Sequence, residues 1–356
     1  SKNPKTHVCK CTLSKFVITR YVMYRLMLLP LNLMQNILFC PKYRIRNNFI
    51  IPNSLLSNFA SLCGTIMFIL FYFYRILNLH LDNTKWKVLM FYSYFEFGFF
   101  GIGFLMNFMV SVFQTNNNIS FVLKIQNVHR FLNNKTEFKY FTIGNWISVI
   151  FMLGFLITGT LYFDLTLKFS CDIILCNIAV VSFDTNIIYA IRLMKLLKDK
   201  VDLWNIHKFS DNLNTFYYYC FQVLYHTAES FIHGLVNIQI MIDGLKIFFK
   251  SSDPVSYILL SIVSLIWVIK NVILLTSLSV ECERFHSAMR EVWSTCTLVT
   301  SICKNIQRVQ SSSFKKMTCS GLFFIDATLP LRFFGLITTY TIVLLQFKFL
   351  NPTDLE

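Results

Sequence analysis

The sequence predicts an all-α membrane protein, a seven-transmembrane helical bundle with a cytoplasmic N-terminus, an extracellular C-terminus and long helices that form a cytoplasmic base. Three observations predict this class. Of the 356 residues, 55% are hydrophobic and only 14% charged, whereas about a quarter of the residues in an ordinary soluble domain are charged. Seven apolar stretches are long enough to cross a bilayer, and the basic residues fall mainly on one side of them. So apolar a composition excludes a soluble domain and a disordered chain.

Each predicted span is an apolar run long enough for a helix to cross the bilayer, which takes about 20 residues. Pro52 and Pro254 precede the first and sixth spans, as expected at helix starts. No period of about 20 to 50 residues recurs, which disfavours solenoids and inverted-repeat transporters. The spans are Leu55–Leu77, Lys87–Phe113, Phe141–Leu167, Asp172–Leu197, Phe216–Phe249, Tyr257–Val280 and Leu331–Leu350.

The segment Phe16–Phe39 differs from these spans because polar residues interrupt its apolar ones at helical spacing. This pattern predicts an amphipathic helix that lies at the membrane surface or docks on the bundle. The alternative is an eighth span, which would place both chain ends on the same side.

The distribution of Lys and Arg predicts the orientation. Twenty-four of the 33 basic residues lie in 1–53, 114–140, 192–214 and 284–320, and five lie in the opposite loops. Since basic residues concentrate in cytoplasmic loops, the N-terminus is predicted inside. The net charge of +15 is then an orientation signal, and no nucleic-acid partner is expected. The sequons at Asn118 and Asn134 lie on the predicted inner side and should carry no glycan.

The fifth and sixth spans continue beyond the predicted bilayer without a helix breaker, which predicts the packed cytoplasmic base. Five regions result. The segment 1-53 is cytoplasmic and contains the amphipathic helix, and 54-285 holds the first six spans with a ligand site in their outer half. The segment 286-330 is a cytoplasmic loop and anchor, 331-350 is a pore helix, and 351-356 is an extracellular tail.

Four patches of sequence carry a resemblance to a known family. The last span contains Thr339-Tyr340, five mainly apolar residues and Gln346-Phe347. This pattern resembles the TY-x5-QF signature of the insect gustatory receptors. The likeness extends to Cys319–Thr328, which enters the last helix, and to Cys282–Glu291, below the sixth span. Pro41–Asn53 is similar to the start of moth and butterfly receptors of the bitter-sensing type, a group related to insect odorant receptors.

The resemblance implies a ligand-gated, non-selective cation channel in the plasma membrane of chemosensory neurons, opened by a small-molecule tastant, in particular bitter plant compounds. It implies a homotetramer, or a heteromer with related receptors, in contact with membrane lipid and with the last helices around a central pore. Two alternatives stay open, a non-conducting accessory chemoreceptor subunit and a membrane solute carrier. No HExxH or Gly-x-Ser-x-Gly motif occurs, so no enzyme is expected, and neither a cofactor nor a metal is.

The last span also has the chemistry of a pore lining. A channel needs a polar ring that substitutes for hydration and an apolar constriction that closes it. Gln346 supplies an amide for the first role and Phe347 a bulky ring for the second, and Val343 and Leu344 narrow the path further. Alternatively, Gln346 bonds between helices and Phe347 faces lipid. The remaining motif residues, Thr339 and Tyr340, are expected to fix helix packing.

The entry to the last span contains a proline and a charge. Pro330 is predicted to kink the helix or to divide a cytoplasmic piece from it. A ring of Arg332 side chains would repel cations, so Arg332 is expected to turn towards lipid headgroups or towards Asp326.

The predicted ligand site is a set of polar and aromatic residues within the outer half of the bundle, because such residues in spans usually face the interior. Depth alone selects them, and the alternative is an interhelical network such as a Lys270–Asp184 pair. The site residues are Tyr92, Tyr94, Glu96, Tyr162, Asn177, Gln239, Asp243, Tyr257 and Trp267.

Overall fold

A computed structural model gives the fold of the chain. It describes residues 27–46, 49–81, 87–120, 122–123, 135–167, 171–201, 213–248, 254–298, 318–319 and 323–350. These residues are mostly helical, as the sequence predicts. Only two short antiparallel hairpins interrupt the helices in this part of the chain.

The elements follow one another as the apolar runs predict. A helix at 27–37 (α1) is followed by β1 (Arg44–Arg46) and β2 (Phe49–Ile51). Then come α2 (Leu55–Leu81), α3 (Lys87–Phe113), a short helix at 115–120 (α4), α5 (Lys135–Leu167), α6 (Cys171–Val201), α7 (Leu213–Phe248) and α8 (Pro254–Leu298). The hairpin of β3 (Thr318–Cys319) and β4 (Phe323–Phe324) precedes α9 (Leu329–Leu350).

Among the residues that the structure describes, four helices are long and apolar enough to cross a bilayer, as expected of an all-α membrane protein. The apolar segments are Leu55–Tyr74, Lys139–Leu161, Ser261–Glu291 and Leu329–Gln346. They correspond to the first, third, sixth and seventh predicted spans. The second, fourth and fifth predicted spans also form helices, although they are not among these four in the described part of the chain. A total of seven spans and the orientation of the termini therefore stay predictions.

The two long helices continue well past the length that a bilayer requires. The structure has α7 as a helix of 36 residues and α8 as one of 45. Helix α8, which contains the sixth predicted span, continues without interruption through Glu281 and Arg290, as predicted. At about 1.5 Å per residue, α8 is about 68 Å long.

The described residues fall into two compact units. The first consists of residues 1–67 and 104–155, and the second of residues 68–103 and 156–356. Within the first unit, α1 buries Met27, Leu31 and Met34, while Leu33 and Ile37 stay exposed. The amide of Asn145 in α5 donates to the carbonyl oxygen of Met27 at 2.7 Å. The described part of Phe16–Phe39 is thus an amphipathic helix docked on α5.

Side chains hold the turn between α1 and β1 in place. The carbonyl oxygen of Pro41 accepts hydrogen bonds from Asn53 and Ser111, and that of Tyr43 accepts one from Asn32 at 2.8 Å. The turn carries Lys42, whose side chain is only 2% exposed. Burial lowers the pKa of Lys42 to about 7, and the neighbouring Cys40 offsets part of that effect.

The sequon at Asn118 lies in α4, and its side chain is 3% exposed. A glycan needs an accessible amide, so this asparagine is blocked on either side of the membrane. Asn134, the other sequon, lies outside the described residues. Absence of glycan at Asn118 would therefore not report the orientation.

In the second unit, α6, α7 and α8 pack on one another, and α9 packs on α7 and α8. Two electrostatic contacts fix the relative direction of α6 and α8. Asp184 pairs with Lys270, and further along both helices the opposite charges of Arg192 and Glu281 attract one another. Both contacts advance in the same sense, so α6 and α8 run parallel. The alternating topology predicted from the sequence requires the same direction for both helices.

An aromatic cluster joins four helices of this unit. Phe100 of α3 stacks on Tyr72 of α2 at 5.4 Å and on Phe183 of α6 at 5.5 Å between ring centroids. Tyr225 of α7 stacks on Phe99 at 4.3 Å, and its hydroxyl donates to the Phe99 carbonyl oxygen at 2.6 Å. Stacked rings contribute beyond the area that they bury, so the cluster stabilises this part of the bundle.

Asp326 holds the turn that leads into α9. Its Oδ1 accepts hydrogen bonds from the backbone N–H of Thr328 at 3.0 Å and from Thr328 Oγ1 at 2.6 Å. Pro330 lies in the first turn, where proline needs no hydrogen-bond partner, so it starts the helix and does not kink it. Arg332 is exposed, and no ion pair joins it to Asp326 among the described residues.

Candidate functional site

One side of α9 packs on α7. Phe231 contacts Phe333 and Tyr340 edge to face, with ring centroids 6.2 and 5.7 Å apart. Between those contacts, Gly234 faces Ile337, and a Cβ at position 234 would lie 3.1 Å from the Ile337 Cδ1 atom. A side chain at position 234 would therefore make Ile337 shift by a few tenths of an ångström, so the glycine eases the close approach of the two helices.

The other side of α9 is exposed. Gly335, Thr339, Ile342 and Gln346 are spaced by four, three and four residues, so they share one side of the helix. All four are exposed in the isolated chain. The Thr339 hydroxyl donates to the Gly335 carbonyl oxygen at 2.9 Å, which satisfies it within the helix. This outward stripe is more polar than the side that contacts α7.

The predicted pore residues separate between the two sides. Gln346 is exposed on the outward stripe, and Val343 is 36% exposed beside it. Leu344 is half-buried and, at helical spacing from Ile337, lies on the side that faces α7. The side chain of Phe347 lies outside the described residues. Tyr340 contacts the Phe231 ring and is 48% exposed.

Three of the nine predicted ligand residues have described side chains. Tyr94 is 45% exposed, and Gln239 and Trp267 are half-buried. They lie on three different helices, α3, α7 and α8. The side chains that lie outside the described residues are those of Tyr92, Glu96, Tyr162, Asn177, Asp243 and Tyr257.

The alternative to that site, an interhelical ion pair, is present in the structure. Lys270 Nζ lies 2.5 Å from Asp184 Oδ2, and the two side chains are 5% and 1% exposed. The same ammonium lies 4.0 Å from the centroid of the Trp267 ring. A buried charge is costly unless it is paired, so this pair links α6 to α8.

A second polar network lies within α7. Glu229 Oε2 is 3.3 Å from His226 Nδ1, and the Ser230 hydroxyl is 3.4 Å from His226 Nε2. All three side chains are buried. The spacing of three and four residues places its members on one helix face, a pattern that is visible in the sequence. His233, one turn further on, packs against Phe100.

No protein-family model matches the sequence, and no curated protein matches it. Among the described residues, no group of three or more His, Cys, Asp or Glu side chains is arranged to hold a metal ion.

Proposed function

We propose that the chain is a gustatory receptor of the insect type, a ligand-gated, non-selective cation channel of the plasma membrane of chemosensory neurons. Four copies, or this chain with related subunits, assemble so that the last helices surround a pore. A small plant-derived compound, of the bitter kind in particular, binds the open arrangement better and shifts the equilibrium towards it.

The two-sided packing of α9 carries the proposal. One side of the helix is fixed to α7 through Ile337 and Phe333, while the opposite side presents Thr339 and Gln346. Cyclic symmetry about that outward stripe brings four amides together, and uncharged amides can replace part of the hydration of a passing cation. The TY-x5-QF pattern supports the same assignment.

Whole-cell recording of the chain expressed alone, across a panel of bitter plant compounds, tests the function. An agonist-gated cation current is the expected result. Uptake of a compound without current indicates a solute carrier. If the chain expressed alone gives no current and co-expression with a related subunit restores it, the chain is a non-conducting accessory subunit.

Cysteine accessibility tests the pore assignment within an active channel. Gln346→Cys and Thr339→Cys should make the agonist current sensitive to a charged, membrane-impermeant thiol reagent. Phe333→Cys is the matched control, because that side chain is 4% exposed and contacts α7. Block at Phe333→Cys with no effect at Gln346→Cys would overturn the assignment.

A further inference from the structure

Three side chains of the second unit form a compact cation site between α6 and α8. A carboxylate, Asp184, lies on one side of the Lys270 ammonium, and an indole ring, Trp267, lies on another. The ammonium is thus held by the two groups that proteins use to bind organic cations, an anion and an aromatic face. Trp267 and Lys270 are three residues apart on α8, so both project to the same side of that helix.

The carboxylate retains a capacity to accept hydrogen bonds. Asp184 Oδ2 accepts from Lys270, whereas Asp184 Oδ1 is buried with no hydrogen-bond partner among the described residues. A buried ion pair is fully stabilised only when its remaining lone pairs are also satisfied. Asp184 Oδ1 can therefore accept a hydrogen bond from a further N–H donor.

The aromatic face selects the kind of cation. Small metal ions prefer several oxygen ligands, and one carboxylate beside an indole does not provide them. An ammonium group with an apolar body suits both the carboxylate and the ring. Its entry in exchange for Lys270 leaves the charge of the site unchanged, so Asp184 is not left unpaired. The flexible four-carbon stem of Lys270 allows its ammonium to move away from Asp184.

We propose that Asp184 and Trp267 form a binding site for the ammonium group of an organic cation, which the side chain of Lys270 occupies in the absence of ligand. Trp267 is half-buried whereas Asp184 and Lys270 are buried, so the ring is the part of the site nearest the surface. Displacement of Lys270 would break one of the electrostatic contacts between α6 and α8. The link from this site to channel opening rests on the proposed function, but the binding itself does not.

Chemical rescue in purified protein tests the site. Lys270→Ala removes the four side-chain atoms beyond Cβ, and propylammonium has the same three carbons and one nitrogen. Propylammonium should raise the melting temperature of Lys270→Ala saturably, by about 3 °C. Its apparent Kd for the wild-type protein should be at least tenfold higher, because Lys270 competes there. Propanol and sodium chloride at equal concentrations are the controls and should give no such shift.

The double variant Lys270→Ala/Asp184→Asn shows whether the carboxylate is the partner. It should lose the propylammonium shift, and Lys270→Ala/Trp267→Leu should bind the amine several-fold more weakly than Lys270→Ala. Equal shifts with and without Asp184, no shift in Lys270→Ala, or no saturable shift in the wild-type protein would overturn the inference.

A second measurement applies if Lys270→Ala is not recovered folded. Propylammonium present during expression and extraction should then restore the folded yield of Lys270→Ala and not that of the double variant. Failure of this rescue overturns the inference as well. If propylammonium binds but the wild-type protein gives no agonist-gated current, the proposed function is contradicted and the inference of a cation site is still supported.

Discussion

The phenol of Tyr225 lies in the space that a side chain on Gly103 would occupy. A Cβ at position 103 would lie 2.4 Å from the Tyr225 hydroxyl oxygen and 2.7 Å from Phe183 Cε1. The absence of a side chain lets Tyr225 reach the backbone carbonyl oxygen of Phe99. A glycine in α3, a ring from α7 and a ring from α6 thus depend on one another.

Gly103→Ala should destabilise the protein. The added methyl group displaces Tyr225 and breaks its buried hydrogen bond, for which we expect a cost of about 2 kcal/mol or more. The melting temperature in detergent, followed by size-exclusion chromatography after heating, measures the loss. Gly101→Ala is the matched control in the same helix, because a Cβ there meets nothing within 4 Å. Equal melting temperatures for the two variants would contradict the packing described.

The contact between Gly234 and Ile337 predicts a non-additive pair of substitutions. Gly234→Ala should stabilise the protein less than the same change at an open helix position such as Gly335, because Ile337 Cδ1 must shift to admit the new Cβ. Ile337→Val removes that atom and alone should cost about 1 kcal/mol. The double variant should be no less stable than Ile337→Val alone, since the crowding is gone. Melting temperatures of the four proteins measure the coupling, and simple additivity would argue against this contact between α7 and α9.

Lys42 predicts a pH dependence of stability. Its pKa is about 7 in the folded chain, against an ordinary value of 10.5. Between these values the unfolded chain binds more protons, so the free energy of unfolding rises with pH, by up to about 1.4 kcal/mol per pH unit. Below about pH 7 the ammonium is protonated in both states, and this contribution to the slope disappears.

Lys42→Met should remove the part of the rise in unfolding free energy with pH that comes from Lys42. The measurement is the melting temperature of the wild-type and variant proteins from pH 6 to pH 10, in one detergent at constant ionic strength. Lys139→Met is the control, because Lys139 is exposed. Parallel curves for the wild-type protein and Lys42→Met would show that Lys42 titrates normally.

The orientation can be tested with epitope tags. A tag after Glu356 should be labelled on intact cells, and a tag before Ser1 only after permeabilisation, because the distribution of basic residues predicts that the N-terminus lies inside. Of the two sequons, only Asn134 can also report the orientation through glycan analysis, because the side chain of Asn118 is buried. Surface labelling of both tags would mean an even number of spans and would favour the eighth span considered for Phe16–Phe39.

The long helices could be predicted from the sequence because each one corresponds to a long apolar run. Lys87–Phe113 is helical over the predicted range, and Asp172–Leu197 extends by only a few residues, to Cys171–Val201. The two hairpins escaped prediction because strands of two or three residues have no recognisable period.

The side-chain contacts were harder to predict than the helices. The Lys270–Asp184 pair can be anticipated because buried charges in spans need partners, whereas the contact of Lys270 with the Trp267 ring cannot be derived from depth alone. The insertion of Tyr225 against Gly103 depends on the register of two helices distant in sequence, which no local pattern records.

The continuity of α8 has a mechanical consequence. Arg290 follows Lys270 by 20 residues in one unbroken helix, so the two lie about 30 Å apart along a single rigid rod. A tilt of this rod at the level of the ion pair displaces its far end in proportion to that distance. A few degrees of rotation then become a lateral movement of ångströms, without any hinge in between.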